Sequence, residues 1–274
     1  MDSDSSVHET ADRHGGVQSL ERAAAILRVL AQAGASGTRL ADVAVAIGLG
    51  KTTTHRLINA LLDLGFVEQD PANRRYRLGL ELYALAMSAQ SRLDIVELAR
   101  PSLVLLAEQT GDTVFLSIVD RFEAVCVDRQ VGSFPIRTLT LNIGDRRPLG
   151  TGSGSLALLA ALPDEDVRKT MEVNASRHLA FAGFDVSETY RLIAETRANG
   201  YAFNDGRIVS GMCAVAVAAP GADGKPAAAL SVAAIADRMN PGRRKQVVAL
   251  LQREAAAIAE RLNPMRRLPQ VFVA

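Results

Sequence analysis

The chain of 274 residues has no tryptophan, only two cysteines and 4% aromatic residues. Cys126 and Cys213 lie far apart and form no C-x-x-C, so neither a disulfide framework nor a zinc cluster is expected. The four histidines, His8, His14, His55 and His178, are scattered, and no metal site or cofactor follows from them. No apolar run approaches the roughly 20 residues that span a bilayer. The opening stretch, MDSDSSVHETADRHGG, is acidic and polar, unlike a secretory signal. Together these absences predict a cytoplasmic protein. The formal net charge of +1 gives no global pull towards nucleic acid, so any such surface must be local. With 48% hydrophobic and 22% charged residues, the chain can bury a sizeable core, and its length suggests two domains.

One stretch, GLGKTTTHRL from Gly48 to Leu57, has glycine, lysine and threonine in the order of a nucleotide-binding loop. That motif requires a glycine where Val45 stands, and a buried strand leading into it. The preceding residues instead place Leu40, Val43, Ala44 and Ile47 at helical spacing. VFLSIVD, ending at Asp120, is no substitute, because any buried strand that ends on an acidic turn residue looks like a Walker-B segment.

The alternative is a DNA-binding unit. The first residues, 1–16, have too few apolar side chains to offset the entropy of ordering and are expected to be disordered. From Val17 a helix presents Leu20, Ala23, Ala24, Leu27 and Leu30 on one face. Thr38 is the expected N-cap of a second helix, 39–47, and a third runs from Lys51 to about Leu64, with Gly65 as its stop. Thr54, Leu57, Ile58, Leu61 and Leu62 make the buried stripe of this third helix, and Thr52, His55, Arg56 and Asn59 its polar face. A tight turn before a helix with a cationic, acid-free outer face is a helix-turn-helix, in which the start of the second helix meets base edges. Lys51, Thr52 and Thr53 open that helix and present amides and hydroxyls to an anion. The next segment reads as two strands, Phe66–Gln69 and Arg75–Leu78, with Arg74, Arg75 and Arg77 on the tip and return strand: a basic wing. Over residues 17–80, eight cations against five acids leave an excess of three positive charges, the local footprint that phosphate contacts require.

Downstream, Gly79 and Pro101 mark the expected limits of a linker helix and the start of a new domain. DTVFLSIVD and EAVCVDRQV read as strands, RTLTLNIG as a third, GMCAVAVAAP and PAAALSVAAIA as two more, with a closing helix in GRRKQVVALLQREAAAIAERL. Hairpin-linked strands mixed with helices give an α+β domain on an antiparallel sheet.

VQSLERAAAILRVL, LGLGKTTTHRLINALLDLGFVEQDPANRRYRLG, GDRRPLGTGSGSLALLAALP and NGYAFNDGRIVSGMCAVAVAAP, in this order, resemble the IclR family of bacterial transcriptional regulators from Val17 to about Leu262. The resemblance implies a winged helix-turn-helix (17–79), a linker helix (80–92), a GAF-like or profilin-like α/β effector-binding domain (93–264) and a tail (265–274). It also implies a homodimer or homotetramer on a palindromic operator in double-stranded DNA. Ser153, Gly154 and Ser155 of the glycine-rich loop then line the effector pocket, joined by Asn204, Asp205, Cys213, Ala214 and Ser231. Where the family has an acidic residue this chain has Asn204, with Asp205 beside it. Cys213 falls one place early, so that Ala214 takes the cysteine position, and the S-x-S strand reads Ser231-Val232-Ala233. Replacing polar groups by alanine favours a larger, partly apolar effector, such as an aromatic or branched organic acid.

Two rival readings are a small-acid metabolic enzyme, for which Cys213 would be the nucleophile, and a GAF-type sensor acting through a protein partner. Cys213 sits in an apolar strand, and His178 is the only histidine of its domain, with no motif joining the two. No enzyme is expected.

Overall fold

The computed structural model describes residues 6–88, 94–179, 181, 185–221 and 224–262. The chain divides into two compact units, Met1–Ser91 and Arg92–Ala274.

The first unit contains α1 (Ser6–Ala33), α2 (Leu40–Ala46), α3 (Lys51–Asp63), β1 (Val67–Gln69), β2 (Tyr76–Leu78) and α4 (Leu80–Ser88). Helix α1 begins at Ser6, not at Val17, which corrects the expected leader from that residue onward. Its buried side chains are Ile26 and Leu30, whereas Leu20 is 72% exposed, so the core-facing stripe lies further along the helix than expected. The core of this unit joins Ile26 and Leu30 to Val43, Ile58, Leu61, Val67 and Tyr76. Arg39, not Thr38, precedes α2, and it caps with no side-chain bond. Thr38 has a different task. It exchanges backbone hydrogen bonds with Tyr76, N to O at 2.9 Å and O to N at 2.8 Å, adding a third strand position to the wing. Helix α3 closes as anticipated: Gly65 N donates to Leu62 O and Phe66 N to Leu61 O, both at 2.9 Å, satisfying carbonyls that a helix end leaves open. Gly79 permits the wing to close against this turn, since a Cβ there would stand 2.1 Å from Gly65 O.

The second unit is a six-stranded antiparallel sheet in the order β5-β4-β3-β8-β7-β6. The strands are β3 (Thr113–Asp120), β4 (Glu123–Gln130), β5 (Arg146–Pro148), β6 (Ala202–Asn204), β7 (Met212–Pro220) and β8 (Pro226–Ile235). Helices α5 (Asp94–Thr110) and α10 (Pro241–Leu262) cover one face through Leu103, Leu106, Val247 and Leu251. The other face carries α6 (Ser153–Ala160), α7 (Asp164–Val173) and α9 (Val186–Asn199), with the short α8 (Ala175–His178) between them. Pro101 lies inside α5 and is not a boundary. The expected strand RTLTLNIG is not in the sheet. Residues 137–143 alternate as a strand does, with Thr138 buried and Leu139 exposed, but fold over the sheet on side-chain bonds. Thr138 Oγ1 donates to Ala233 O (3.0 Å) and Arg129 Nη1 to Leu141 O (2.9 Å). The strand that pairs with β4 is the neighbouring 146–148.

Asp112 ties the ends of this layer together. Its carboxylate, 2% exposed, accepts from Arg238 Nε at 2.9 Å and from Arg243 Nη2 at 2.7 Å, while Arg238 stacks on the Phe134 ring at 3.7 Å. Removing one member of a buried ion pair strands the other charge. Asp112→Ala should therefore lower unfolding free energy by about 3 kcal/mol, read from denaturant melts. A loss below the surface-pair range of about 1 kcal/mol would contradict this role.

Candidate functional sites

On the first unit, α3 separates its two faces cleanly. Thr54, Ile58 and Leu61 are buried, with Thr54 Oγ1 donating to Gly50 O at 3.1 Å. Lys51, Thr52, Thr53, His55, Arg56 and Asn59 are all exposed, and Asn59 Nδ2 lies 3.5 Å from His55 Nδ1 on that face. Gly50 is the N-cap without any side-chain cap, and the first turn contains no acid. The positive end of the helix dipole and its free amides therefore face outward without an internal counter-charge.

The three wing arginines differ in what holds them. Arg74 sits at the exposed tip with φ 59°, inside a turn organised by Asp70, which accepts from Ala72 N (2.8 Å) and Asn73 Nδ2 (2.9 Å). Arg75 Nη1 donates to Gly37 O at 3.1 Å, bracing the wing against the segment before α2. Arg77 pairs with Glu68 directly across the hairpin. The sequence placed all three on one basic hairpin; the geometry leaves Arg74 the most projecting of them.

On the second unit, a cavity with about 650 Å³ of space, its mouth included, opens between the sheet and the start of α6. It brings together Ser153, Gly154, Ser155, Asn204, Cys213, Ala214 and Ser231. Asp205 is the exception: it is exposed and pairs with Arg207 Nε at 2.9 Å, so the residue next to Asn204 turns away from the cavity. Asn204 is buried, and its Oδ1 accepts from Arg207 N at 3.2 Å. Cys213 touches the cavity but packs with Val215 and Val217 against α5 and α10, since alternate residues of a strand face opposite sides. Ala214 therefore supplies the wall. Cys126 packs with Phe115 and Ala233 and also lines the cavity. Burial pushes its thiol up to about 12, and it raises Cys213 as well. Neither thiol is poised as a nucleophile. His178 is buried outside this lining, its pKa lowered by burial, and its Nε2 bonds Leu149 O at 2.9 Å.

The sequence reading missed Arg147, Asp145, Thr138, Thr140 and Ser117, which also line the cavity. Arg147 is the important one. Its Nη2 donates to Thr140 O at 2.8 Å, and a Cβ on Gly152 would stand 3.5 Å from its Nη1, so the guanidinium lies beside the N-cap of α6. Burial lowers its pKa, Asp145 partly offsets that, and an arginine remains charged. The available signal was the arginine pair Arg146-Arg147 before the glycine loop. Gly150 and Gly152, at φ 100° and 84°, turn the chain so that α6 starts over the sheet. The first α6 backbone bond is Leu156 N to Gly152 O at 3.0 Å, which leaves the amides of Ser153 and Gly154 outside the helical ladder. Cation and helix N-terminus together make an anion-attracting end; Phe115, Met212, Ala214 and Ala233 form an apolar part of the remaining wall. Among the described residues no group of three metal-ligating side chains occurs, and no helix is long and apolar enough to cross a membrane.

Comparison with known proteins gives the same division. Residues 19–71 match the IclR helix-turn-helix domain, and residues 87–260 match the bacterial transcriptional regulator IclR C-terminal domain. The chain is 33% identical over 210 residues to the HTH-type transcriptional regulator Rv1719 of Mycobacterium tuberculosis, covering 77% of this chain and 80% of that protein. It is 27% identical to the transcriptional repressor IclR of Escherichia coli K12, covering 90% of each. The crystal structure of an IclR transcriptional regulator from Alicyclobacillus acidocaldarius superposes with a TM-score of 0.72 at 25% identity, over 89% of this chain and 98% of that one. These relatives are regulators and not enzymes, and the chain belongs to the IclR family of bacterial transcriptional regulators.

Proposed function

We propose that this regulator binds a palindromic operator as a homodimer or a dimer of dimers, and that a small organic acid in the second unit gates its affinity for DNA. The observation that carries the reading is the pairing, in one chain, of an acid-free helix N-terminus carrying Lys51 and Arg56 with an arginine-flanked cavity at a second helix N-terminus. Lys51 to Arg56 and Asn59 enter the major groove. Arg74 reaches the flanking backbone, while Arg75 and Arg77 hold the wing in shape and add positive potential. Half-sites then lie about one helical turn, roughly 34 Å, apart. For self-association, α1 and α4 expose Val17, Leu20, Leu80 and Tyr83, large apolar side chains suited to a second copy. The linker, 80–92, begins with α4, and the effector acts by favouring one spacing of the two DNA-binding heads. Residues 89–92 of that linker, the tail 265–274 and the first five residues lie outside the described residues.

In the cavity, the effector carboxylate lies against Arg147 and the amides of Ser153 and Gly154, with its apolar body towards Phe115, Met212 and Ala214. An aromatic or branched acid fits such a wall better than a very small one. A homologue from Microbacterium hydrocarbonoxydans of the same fold was crystallised with 4-hydroxybenzoate, an acid of this class. A sensor working through a protein partner would bind acid but show no salt-dependent affinity for DNA.

Three outcomes follow. Arg56→Ala should weaken binding to the operator by about 1–3 kcal/mol and relax one base preference. Arg74→Ala should weaken all sequences alike and reduce the salt slope by about 1. Band-shift titrations at several salt concentrations read both, and unchanged affinity in both variants would remove the DNA interface from α3 and the wing. Arg147→Met should reduce affinity for the effector acid by about tenfold or more, the loss of a charge-assisted bond, while the protein keeps its DNA binding. Calorimetry with the carboxylic acids checks this, and equal affinity in the variant would move the carboxylate elsewhere.

A further inference from the structure

Resting on the acid-binding reading above, we propose that Ser117 and Ser231, facing Gly154, form a second polar subsite that reads a hydroxyl group on the effector, so that the effector is a hydroxylated monocarboxylic acid. Ser117 on β3 and Ser231 on β8 are 4% and 6% exposed, and both line the cavity. The register pairs Ser117 with Ala229 and Ser231 with Phe115, which sets the two serines diagonally on one face of adjacent strands. Of the other hydroxyls in the lining, Thr138 donates to Ala233 O, Thr151 to Pro148 O, and Ser155 to Gly152 O and Thr151 O. Neither Ser117 nor Ser231 has a side-chain hydrogen-bond partner among the described residues. Both hydroxyls open onto the cavity, where a ligand group can pair with them.

Their geometry says where. A Cβ added to Gly154 would stand 3.6 Å from Ser117 Oγ and 3.6 Å from Ser231 Oγ. Both hydroxyls thus flank the Gly154 edge of α6, and the absence of a side chain on Gly154 lets a ligand atom approach between them. A serine hydroxyl both donates and accepts, so an oxygen between them can accept from one serine and donate to the other. A hydroxyl group does both. A second carboxylate can only accept, and the cavity has no charge for it, because Asp145 lines the same space and offsets Arg147. The apolar part of the wall, Phe115, Met212, Ala214 and Ala233, suits a hydrocarbon body beside the carboxylate and the hydroxyl.

The test uses the full chain and calorimetry with parent acids and their hydroxylated counterparts: benzoate against 2-, 3- and 4-hydroxybenzoate, and 3-methylbutanoate against its 2- and 3-hydroxy derivatives. In the native protein one hydroxy acid should bind about tenfold tighter than its parent, the yield of a well-made hydrogen bond. Ser117→Ala should bring that ratio close to one. Gly154→Ala, which places a methyl group between the two hydroxyls, should do the same without lowering the melting temperature, since the atoms nearest the added Cβ are those of the two serines, at 3.6 Å or more. If parent and hydroxy acids bind equally to the native protein, or the preference survives in both variants, the hydroxyl subsite is overturned and the acid pocket stands. If no acid of either series binds, the subsite and the acid reading fail together.

Discussion

The cavity of the second unit depends on an asymmetry between the two faces of its central strands. Along β7 and β8, Val215, Val217, Leu230 and Val232 point to one side and fill the core under α5 and α10. The intervening residues, Ala214, Ala216, Ala229, Ser231 and Ala233, are small. A strand alternates its side chains with period two, so the sheet carries bulk on one face and little on the other. Helix α6, made of Ser, Gly, Ala and Leu, lies on the small-residue face, where Leu156 and Leu159 meet Ala216 and Ala229 in a second core. Where its leucines give way to Ser153 and Gly154, the small residues opposite leave space instead of contact. The segment around Thr138 and Leu141 roofs that space. A cavity results from the residue sizes rather than from a gap in packing, and its polar end is the helix N-terminus with Arg147 beside it.

The first unit is held by a different device. Its wing is too short to stand alone, since two three-residue strands give a marginal hairpin. The Thr38–Tyr76 backbone exchange and the Arg75 bond to Gly37 O fasten it to the turn before α2. The wing is therefore fixed to the segment that leads into α2. That explains why only part of the basic hairpin projects: two of its arginines are engaged in shaping it, one with Glu68 and one with the main chain of Gly37.

Much of this was legible in the sequence, and the pattern of what was not is physical. The stripe Thr54, Ile58 and Leu61 and the polar face from Lys51 to Asn59 are properties of one helix and could be read from spacing. So could four of the five expected strands of the sheet. Seven of the eight residues expected to line the cavity do so, because the glycine loop and the strand after it announce themselves locally. Asp205 failed because a neighbour in sequence need not share a direction. Arg147, Ser117, Cys126 and Thr138 were missed because each comes from a different strand or crossing segment, and only the sheet order brings them to one wall. RTLTLNIG has the alternation of a strand but lacks a full partner ladder, which periodicity alone cannot reveal. Leu20 matched the helical spacing of α1, yet the core of its unit starts only at Ile26.

The account stands on the coupling of two sites in one chain, and a footprint of the full protein on the DNA upstream of its own gene, titrated with carboxylic acids, tests that coupling most directly. It predicts two protected half-sites about one helical turn apart, whose occupancy changes with one acid of the aromatic or branched class and not with unrelated acids. No protection at low salt, or protection indifferent to every acid, would contradict it.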